Sequence, residues 1–269
     1  MKIGIITSGN EVLTLFKFLN KFDNQYVVYY DQVNRPYGDN TFEYSLDCVQ
    51  KWIDFLKKTW VEKIIVPPIY ELYFLDKNQN SDIIIPLFQT YVLDYVFQNS
   101  LVWKIGIFWD FADVQVAQGL VNNLSKQYSL NDNQSKIKKF HFPFKFWVKE
   151  TQMWKCFSRK LSFSNILVNK VIKFDLRYFK DSNVDSLIPL NYEYFNYQKT
   201  ICKFFNYKKQ RFHKLEKLEE VFSSLVSNNS DVYSVDLYYN WHADFVKREK
   251  KLLWLLQRWK TVEVNFKSV

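Results

Sequence analysis

Apolar positions along the chain alternate between unbroken short runs and residues spaced three or four apart. The first run, Ile3–Ile6, ends in Thr7-Ser8-Gly9, and apolar residues then recur at helical spacing from Val12 to Leu19. This order predicts a strand, a tight turn and a helix. Ligands of open parallel α/β sheets bind where such strands end. Any chemistry should therefore involve Thr7, Ser8 and Gly9.

The alternation of strand-like and helix-like segments continues to the end of the chain. Further strands are predicted at Tyr26–Tyr30, Lys63–Val66, Ile83–Leu87, Trp103–Phe108, Ile166–Val168, Ser186–Leu190, Tyr233–Leu237 and Val262–Phe266. Helices are predicted at Leu46–Leu56, Leu93–Phe97, Val114–Leu124, Tyr194–Phe205 and Phe245–Trp259, with a polar linker at Ser129–Ser135. Because the two kinds of segment alternate, we predict an α/β fold of two similar domains, each with a parallel sheet flanked by helices.

Two proline-containing stretches mark loops beside the predicted strands. Residues 35–38 read Arg-Pro-Tyr-Gly; the proline fixes φ and the glycine permits a close approach of the backbone. Pro67 and Pro68 follow the third strand and lack the N–H group that a sheet ladder needs. The third strand must therefore end at residue 66.

Composition narrows the class of protein. No stretch has the ~18 uncharged apolar residues that a membrane helix needs, and the first apolar run is too short for a signal peptide. Cys48, Cys156 and Cys202 lie far apart without metal-ligand spacing, and the three histidines are equally scattered. We therefore expect a cytoplasmic protein with reduced thiols, no metal site and no membrane span.

The net charge of +9 is concentrated in one part of the chain. From Val121 to Lys180 there are 13 Lys and Arg against three Asp and Glu, a net +10. Such a segment can attract nucleic acid, an acidic protein or anionic lipid. A solvated lysine-rich surface is the alternative, and we favour it because no nucleic-acid-binding motif accompanies the charge.

Four short motifs follow one another along the chain. Ile3 to Gly9 ends in Thr-Ser-Gly, Tyr30-Asp31 precedes the Pro-Tyr-Gly of the loop, Gly106-Ile107-Phe108 leads to Ala112-Asp113-Val114, and Asp236 to Phe245 leads into the last helix. This series resembles glutamate racemase and its aspartate/glutamate racemase superfamily over nearly the whole chain. In the family the opening strand ends in Asp-Ser-Gly. The second motif reads Gly-Asp…Pro-Tyr-Gly, and the third reads Gly-Val…Ala-Thr-Val.

The resemblance implies a first α/β domain of residues 1–97 plus 207–269 and a second of residues 98–206. It also implies cofactor-free chemistry, in which two cysteines on opposite sides of the substrate exchange a proton at its α-carbon. The first cysteine of the family follows the third strand, where this chain has Pro67-Pro68-Ile69. We place the second, which lies in a Cys-Thr-His motif, at Lys170-Val171-Ile172.

Neither position holds a thiol, so racemisation by this pair is excluded. The aspartate of the family's first turn is Thr7 here, and its substrate-contacting threonine is Asp113. A positioned acid or base is typically worth ~10²–10⁴-fold in rate. With Pro67 and Lys170 at the two catalytic positions, we expect negligible racemase activity, no catalytic residue and no cofactor.

We therefore interpret the chain as a pseudoenzyme that is retained as a structural or protein-interaction component. Phe, Tyr, Asn and Lys abound while Ala and Gly are scarce, which indicates an AT-rich genome. A bacterium without a peptidoglycan wall would no longer need D-glutamate. The protein partner is unidentified, and a homodimer is one option. The alternatives are an enzyme or small-carboxylate binder that uses the altered cleft, and a nucleic-acid-associated protein acting through the basic second domain.

The binder hypothesis depends on residues that persist at the strand ends. Ser8-Gly9 and Tyr37-Gly38 can hold a small anion through backbone N–H groups, although turn geometry and helix capping explain the same residues. Asp113 would repel a carboxylate unless Lys170 neutralises it. Lys170 is either a desolvated general base or a solvated lysine at a strand end.

The cleft itself is expected to be closed. Pro67, Pro68, Ile69, Val171 and Ile172 replace polar residues on its walls, and apolar walls gain ~25 cal/mol per Å² when they close on each other. We therefore expect side chains to fill the cleft and Asp113 to pair with Lys170. We expect glutamate and aspartate not to bind.

Overall fold

A computed structural model describes residues 1–34, 37–109, 114–131, 144–151, 165–206, 212, 214–226, 233–240 and 264–268. The strands are β1 (Lys2–Ser8), β2 (Gln25–Asp31), β3 (Lys63–Ile65), β4 (Lys104–Trp109), β5 (Lys145–Glu150), β6 (Ser186–Pro189), β7 (Ser234–Tyr239) and β8 (Val264–Ser268). The α-helices are α1 (Glu11–Leu19), α2 (Phe42–Lys58), α3 (Pro68–Asp76), α4 (Leu87–Tyr91), α5 (Val114–Asn131), α6 (Asn165–Asp181), α7 (Gln198–Phe204) and α8 (Leu215–Leu225). Short 3-10 helices lie at Tyr37–Asp39 and Tyr192–Tyr197, and a π-helical turn lies at Val92–Phe97.

The strands form two parallel sheets. The first has the order β3-β1-β2-β7-β8 and the second the order β5-β4-β6. Every pair of neighbouring strands is parallel, with Ile5 beside Val28 in the first sheet and Gly106 beside Leu187 in the second. This confirms the predicted α/β class. The first sheet takes its strands from both ends of the chain and the second from the middle; the limits of the two domains stay a prediction.

Helices cover the sheets closely, as parallel sheets require. Strand β1 is buried from Ile3 to Ser8, and the buried residues of α1 are mostly apolar, with Glu11 and Thr14 as the polar exceptions. In the second sheet α6 comes so near β4 that a Cβ on Gly106 would lie 2.6 Å from a ring carbon of Phe179. Glycine is therefore needed at position 106 for this approach. None of the described helices combines the length and the apolar character needed to cross a bilayer.

Several predicted elements differ from the structure. Residues 166–168, predicted as a strand, belong to α6, and residues 129–131 of the predicted linker belong to α5. Only an isolated bridge between Ile64 and Ile84 occurs in the predicted strand 83–87. The predicted helix 194–205 is divided into the second 3-10 helix and α7. Strand β5 was missed, and the predicted last helix lies outside the described residues.

Candidate functional site

The turn after β1 is the first place where chemistry was expected. Gly9 has φ 56°, a conformation that glycine adopts without strain, and it reverses the chain between Ser8 and α1. Thr7 is fully buried, and its hydroxyl has no hydrogen-bond partner among the residues that the structure describes. Ser8 is also buried. These residues therefore lie in packed structure and not on an open surface.

The loop after β2 is held by a buried carboxylate. The Tyr37 hydroxyl donates to Asp31 Oδ2 at 3.1 Å, and Asp31 also accepts from Trp52 Nε1 at 3.1 Å and Asn240 Nδ2 at 2.7 Å. Burial, reinforced by the Asp31 charge, raises the pKa of Tyr37 well above its usual value. Tyr37 is thus a neutral donor already in use inside the protein. This favours turn geometry over ligand binding as the reason for Tyr37-Gly38.

Strand β3 ends at Ile65, one residue before the predicted end at Val66. Pro67 and Pro68 are buried, and α3 begins at Pro68, where a missing N–H costs no hydrogen bond. The Pro67 carbonyl accepts from the amides of Tyr70 and Glu71 at 3.1 and 3.0 Å. Ile69 is packed in the core. No group that can exchange a proton stands at residues 67–69.

The strand predicted at residues 166–168, on which the placement of the second catalytic position at Lys170 depended, is part of helix α6. Lys170 is exposed near the start of α6, while Val171 and Ile172 are buried on that helix. A run of three apolar residues is compatible with a strand or a buried helix turn, and only the helical spacing of later buried residues decides between them. Asp113 lies outside the described residues, so the predicted pair with Lys170 stays untested.

The first described strand after α6 is β6, and the turn that follows it is the alternative place for the second catalytic position. Strand β6 pairs with β4 and is followed by Leu190 and Asn191. The Leu190 amide donates to the Phe108 carbonyl at 3.0 Å, and Asn191 Oδ1 accepts from the Glu193 amide at 2.7 Å, which starts the 3-10 helix. The run Ser186–Leu190 was predicted as a strand, so counting onward from it would have found this turn.

The described cysteines lie away from both turns. Cys48 is buried in α2, and Cys202 is half-buried in α7 with its thiol 3.5 Å from the Phe212 carbonyl. Burial raises the pKa of both thiols, so neither is poised as a thiolate. Cys156 lies outside the described residues.

A set of buried polar residues joins the turn after β1 to the turn after β6; we call Asn10, Glu11, Glu71, Tyr192 and Glu193 the strand-end junction. Asn10 Nδ2 donates to Glu193 Oε1 at 2.8 Å, and the Tyr192 amide donates to Glu11 Oε1 at 3.2 Å. All five residues are buried. The turns after the two sheets are therefore joined by one hydrogen bond between side chains and one from a main-chain amide to a side chain.

Glu71 is the third carboxyl group of this junction. It accepts from the amides of Gln89 at 2.7 Å and Phe88 at 3.0 Å, which caps α4, and from the Tyr192 hydroxyl at 3.5 Å. Burial raises the pKa of Glu71 to about 8, against the opposing effect of these hydrogen bonds. Glu71 is therefore mostly protonated at neutral pH.

Aromatic rings fill the space around the junction. Tyr70 lies edge-on to Tyr37 with ring centres 5.7 Å apart, and Phe88 lies edge-on to Tyr192 at 6.0 Å. No group of three or more His, Cys, Asp or Glu side chains in the described residues is arranged to hold a metal ion. The sequence does not indicate the junction, because its paired residues are 121 to 183 residues apart and glutamates on helices are usually solvated.

Comparison with known proteins identifies the fold. No protein-family model and no curated protein matches the sequence. Among solved structures, glutamate racemase isoform RacE1 from Bacillus anthracis has a TM-score of 0.73 at 16% identity, covering 99% of this chain and 96% of that one. Glutamate racemase from Francisella tularensis subsp. tularensis SCHU S4, in complex with D-glutamate, has a TM-score of 0.64 at 15% identity, covering 100% and 97%.

A more distant match extends the likeness beyond glutamate racemases. The aspartate racemase of Picrophilus torridus has a TM-score of 0.50 at 12% identity, covering 83% of this chain and 94% of that one. Identities this low show a shared fold and leave activity open. The chain has the two-sheet fold of the aspartate/glutamate racemase superfamily along nearly its whole length.

Proposed function

We propose that this protein keeps a racemase fold without racemase activity and serves as a structural or protein-interaction component. One observation carries the proposal: the turns after β3 and β6 hold Pro67-Pro68 and Leu190-Asn191. Two-base racemisation needs an ionisable group on each side of the α-carbon. None of these four side chains takes up and returns a proton near neutral pH.

The strand-end junction supports the same conclusion. An amino acid entering between the turns after β1 and β6 would have to break the hydrogen bond from Asn10 to Glu193. It would also bring its carboxylate close to the buried carboxyl groups of Glu11 and Glu193, with no lysine or arginine among the junction residues to offset them. Burying such a charge without a partner costs several kcal/mol.

Proton exchange at the α-carbon is the direct test. Purified protein is incubated with D- or L-glutamate in deuterated water, and α-deuterium is measured by mass spectrometry. We expect no incorporation above the protein-free control, while the Bacillus anthracis glutamate racemase serves as the positive control. Incorporation in proportion to protein concentration, unchanged when all three cysteines are replaced by serine, would disprove the proposal.

A gain-of-function variant separates the two reasons for inactivity. Replacing Pro67→Cys and Asn191→Cys together supplies a thiol at each turn. We expect this variant to remain inactive, because the junction still occupies the space between the turns. Deuterium incorporation by the double variant would show that the turns are accessible and that only the catalytic groups are missing.

The small-carboxylate binder is the second candidate, favoured by one observation. The Thr7 hydroxyl is buried at the end of β1 without a partner in the described part of the chain, at the place where a ligand would lie in an open cleft. Calorimetric titration with D- and L-glutamate and aspartate tests this candidate. Saturable binding at millimolar concentration that Thr7→Val removes would replace our proposal with it, and no binding is the result we expect.

The partner of the proposed component stays a prediction, as do the cytoplasmic location and the wall-less source. Mass measurement by light scattering across a concentration series tests the homodimer. A mass of twice 32.7 kDa that persists at micromolar concentration supports self-association. A constant monomer mass directs the search to a different protein.

A further inference from the structure

A cavity lies between α6 and α7, away from the strand-end junction. Its volume is about 430 Å³, within the ~300–1,000 Å³ range of small-molecule sites. Two helical faces line it: Asn169, Ile172, Lys173 and Lys180 from α6, and Thr200, Lys203, Phe204 and Asn206 from α7 and the residues after it. We call this the α6–α7 cavity.

Among the described residues that line the α6–α7 cavity, the charged ones are all basic and none is a carboxylate. Lys173, Lys180 and Lys203 supply three ammonium groups, while Asn169 and Thr200 add neutral donors. Lys173 and Lys180 are seven residues apart, so they lie on one face of α6 about 10 Å apart along its axis. That separation leaves room for a polyanion between them.

Neighbouring carboxylates do not neutralise these lysines. Asp181 pairs instead with Arg177 at 3.6 Å on the exposed side of α6, and Asp175 is buried against the core. No described residue forms an ion pair with Lys173 or Lys203. Like charges that share a concave site without counter-charge raise the local potential and attract anions.

Lys180 is already fixed at the edge of the cavity. Its Nζ donates to the Phe204 carbonyl at 3.2 Å and lies 4.9 Å from the centre of the Phe204 ring. A lysine ammonium has three protons, so two remain for a ligand. Holding the ammonium in place beforehand reduces the ordering entropy that a ligand must offset.

We propose that the α6–α7 cavity binds the phosphate groups of a small molecule with at least two of them, of nucleoside di- or triphosphate size. Three lysines match the several negative charges of such a group, and hydroxyl and amide donors can satisfy its remaining oxygens. Ile172 and Phe204 provide the apolar part of the wall. This site is independent of the proposed loss of racemase activity.

Titration with inorganic pyrophosphate and ATP at low ionic strength tests the site. We expect saturable binding of one equivalent, about tenfold weaker in Lys173→Gln and in Lys203→Gln, as for the loss of one charge-assisted contact. Lys170→Gln is the matched control, because Lys170 is exposed on the same helix but does not line the cavity. All three positions are exposed, and circular dichroism verifies that each variant folds.

Three results would overturn the assignment. The first is no saturable binding of either probe up to 5 mM, roughly the weakest affinity of physiological use. The second is equal weakening by Lys170→Gln and Lys173→Gln, which would show a diffuse surface effect. The third is tight binding of a 20-nucleotide single strand that excess ATP fails to displace, which would place the phosphate partner in nucleic acid and outside the cavity.

Discussion

The strand-end junction and the α6–α7 cavity differ in whether their ionisable side chains are buried and hydrogen-bonded within the protein. At the junction Glu11, Glu71 and Glu193 are buried, and each accepts hydrogen bonds from other parts of the chain. In the cavity Lys173 and Lys203 are exposed with no described carboxylate beside them. The carboxyl groups of the junction have their hydrogen-bond partners within the protein and stabilise the fold, whereas the lysines of the cavity remain available to a ligand.

This difference bears on where function should be sought in the molecule. The resemblance to racemases directs attention to the ends of β1, β3 and β6, where the residues are now part of the packed interior. The cavity has no counterpart in the motifs that carried the resemblance. The two proposals together describe a fold that is kept while binding takes place at another surface.

The largest effect is expected from the buried acid Glu71. The pKa of Glu71 is raised from its usual 4.5 to about 8 in the folded protein. Between pH 4.5 and pH 8 the folded state therefore holds a proton that the unfolded state has lost. The contribution of Glu71 to the free energy of unfolding is fully present below pH 4.5. This contribution falls by an amount on the order of a few kcal/mol as the pH rises through about 8.

Urea unfolding of Glu71→Gln between pH 5 and pH 9 measures this effect. The variant stays uncharged at every pH, so the decline of stability with pH should be much shallower than in the unmodified protein. Glu43→Gln, an exposed change on α2, is the matched control and should leave the slope unaltered. Parallel slopes for all three proteins would show that Glu71 titrates normally.

The next effect concerns the bond that joins the two turns. Asn10→Ala removes the donor to Glu193 Oε1 and leaves a buried carboxyl group with one partner fewer. We expect a loss of about 2–3 kcal/mol in the free energy of unfolding, measured by urea at pH 7. A loss below about 0.5 kcal/mol, the usual range for surface changes, would mean that the junction does not hold the turns together.

How far the sequence predicts these two regions depends on the range of the contacts. The strand-turn-helix from Ile3 to Leu19 and the end of β3 before Pro67 were predicted, because local periodicity and the missing proline N–H decide them. The bond from Asn10 to Glu193 was not predicted, because nothing local in the sequence specifies a partner 183 residues away.

The second sheet was harder to predict for physical reasons of its own. Strand β5 is an edge strand that begins with Lys145 and ends with Lys149-Glu150, and such charges protect an edge but obscure the apolar pattern. In α6 the start was taken for a strand, which moved the second catalytic position to Lys170. The cavity lysines, Lys173 and Lys203, come from helices 17 residues apart in sequence at the closest, so only the packing of α6 on α7 brings them together.

A smaller effect is expected at the loop after β2. Tyr37→Phe removes the hydroxyl that donates to Asp31 Oδ2 and leaves the ring packed against Tyr70. Asp31 keeps its other donors, so the free energy of unfolding should fall by about 1 kcal/mol. The same variant should leave ligand titrations unchanged. An unchanged stability together with an altered titration would restore Tyr37 as a ligand-binding residue.

The smallest effect on stability is expected in the cavity, where it tests whether Lys203 serves ligand binding or the fold. Lys203→Gln removes one of three like charges and breaks no ion pair to a described residue, so the free energy of unfolding should change by less than about 0.5 kcal/mol. Pyrophosphate at 10 mM should raise the melting temperature of the unmodified protein, because a ligand that binds only the folded state stabilises it. The rise should be smaller in Lys203→Gln and intact in Lys170→Gln. A clear loss of stability in Lys203→Gln without ligand would show that this lysine supports the fold, and the contrast between the two regions would then fail.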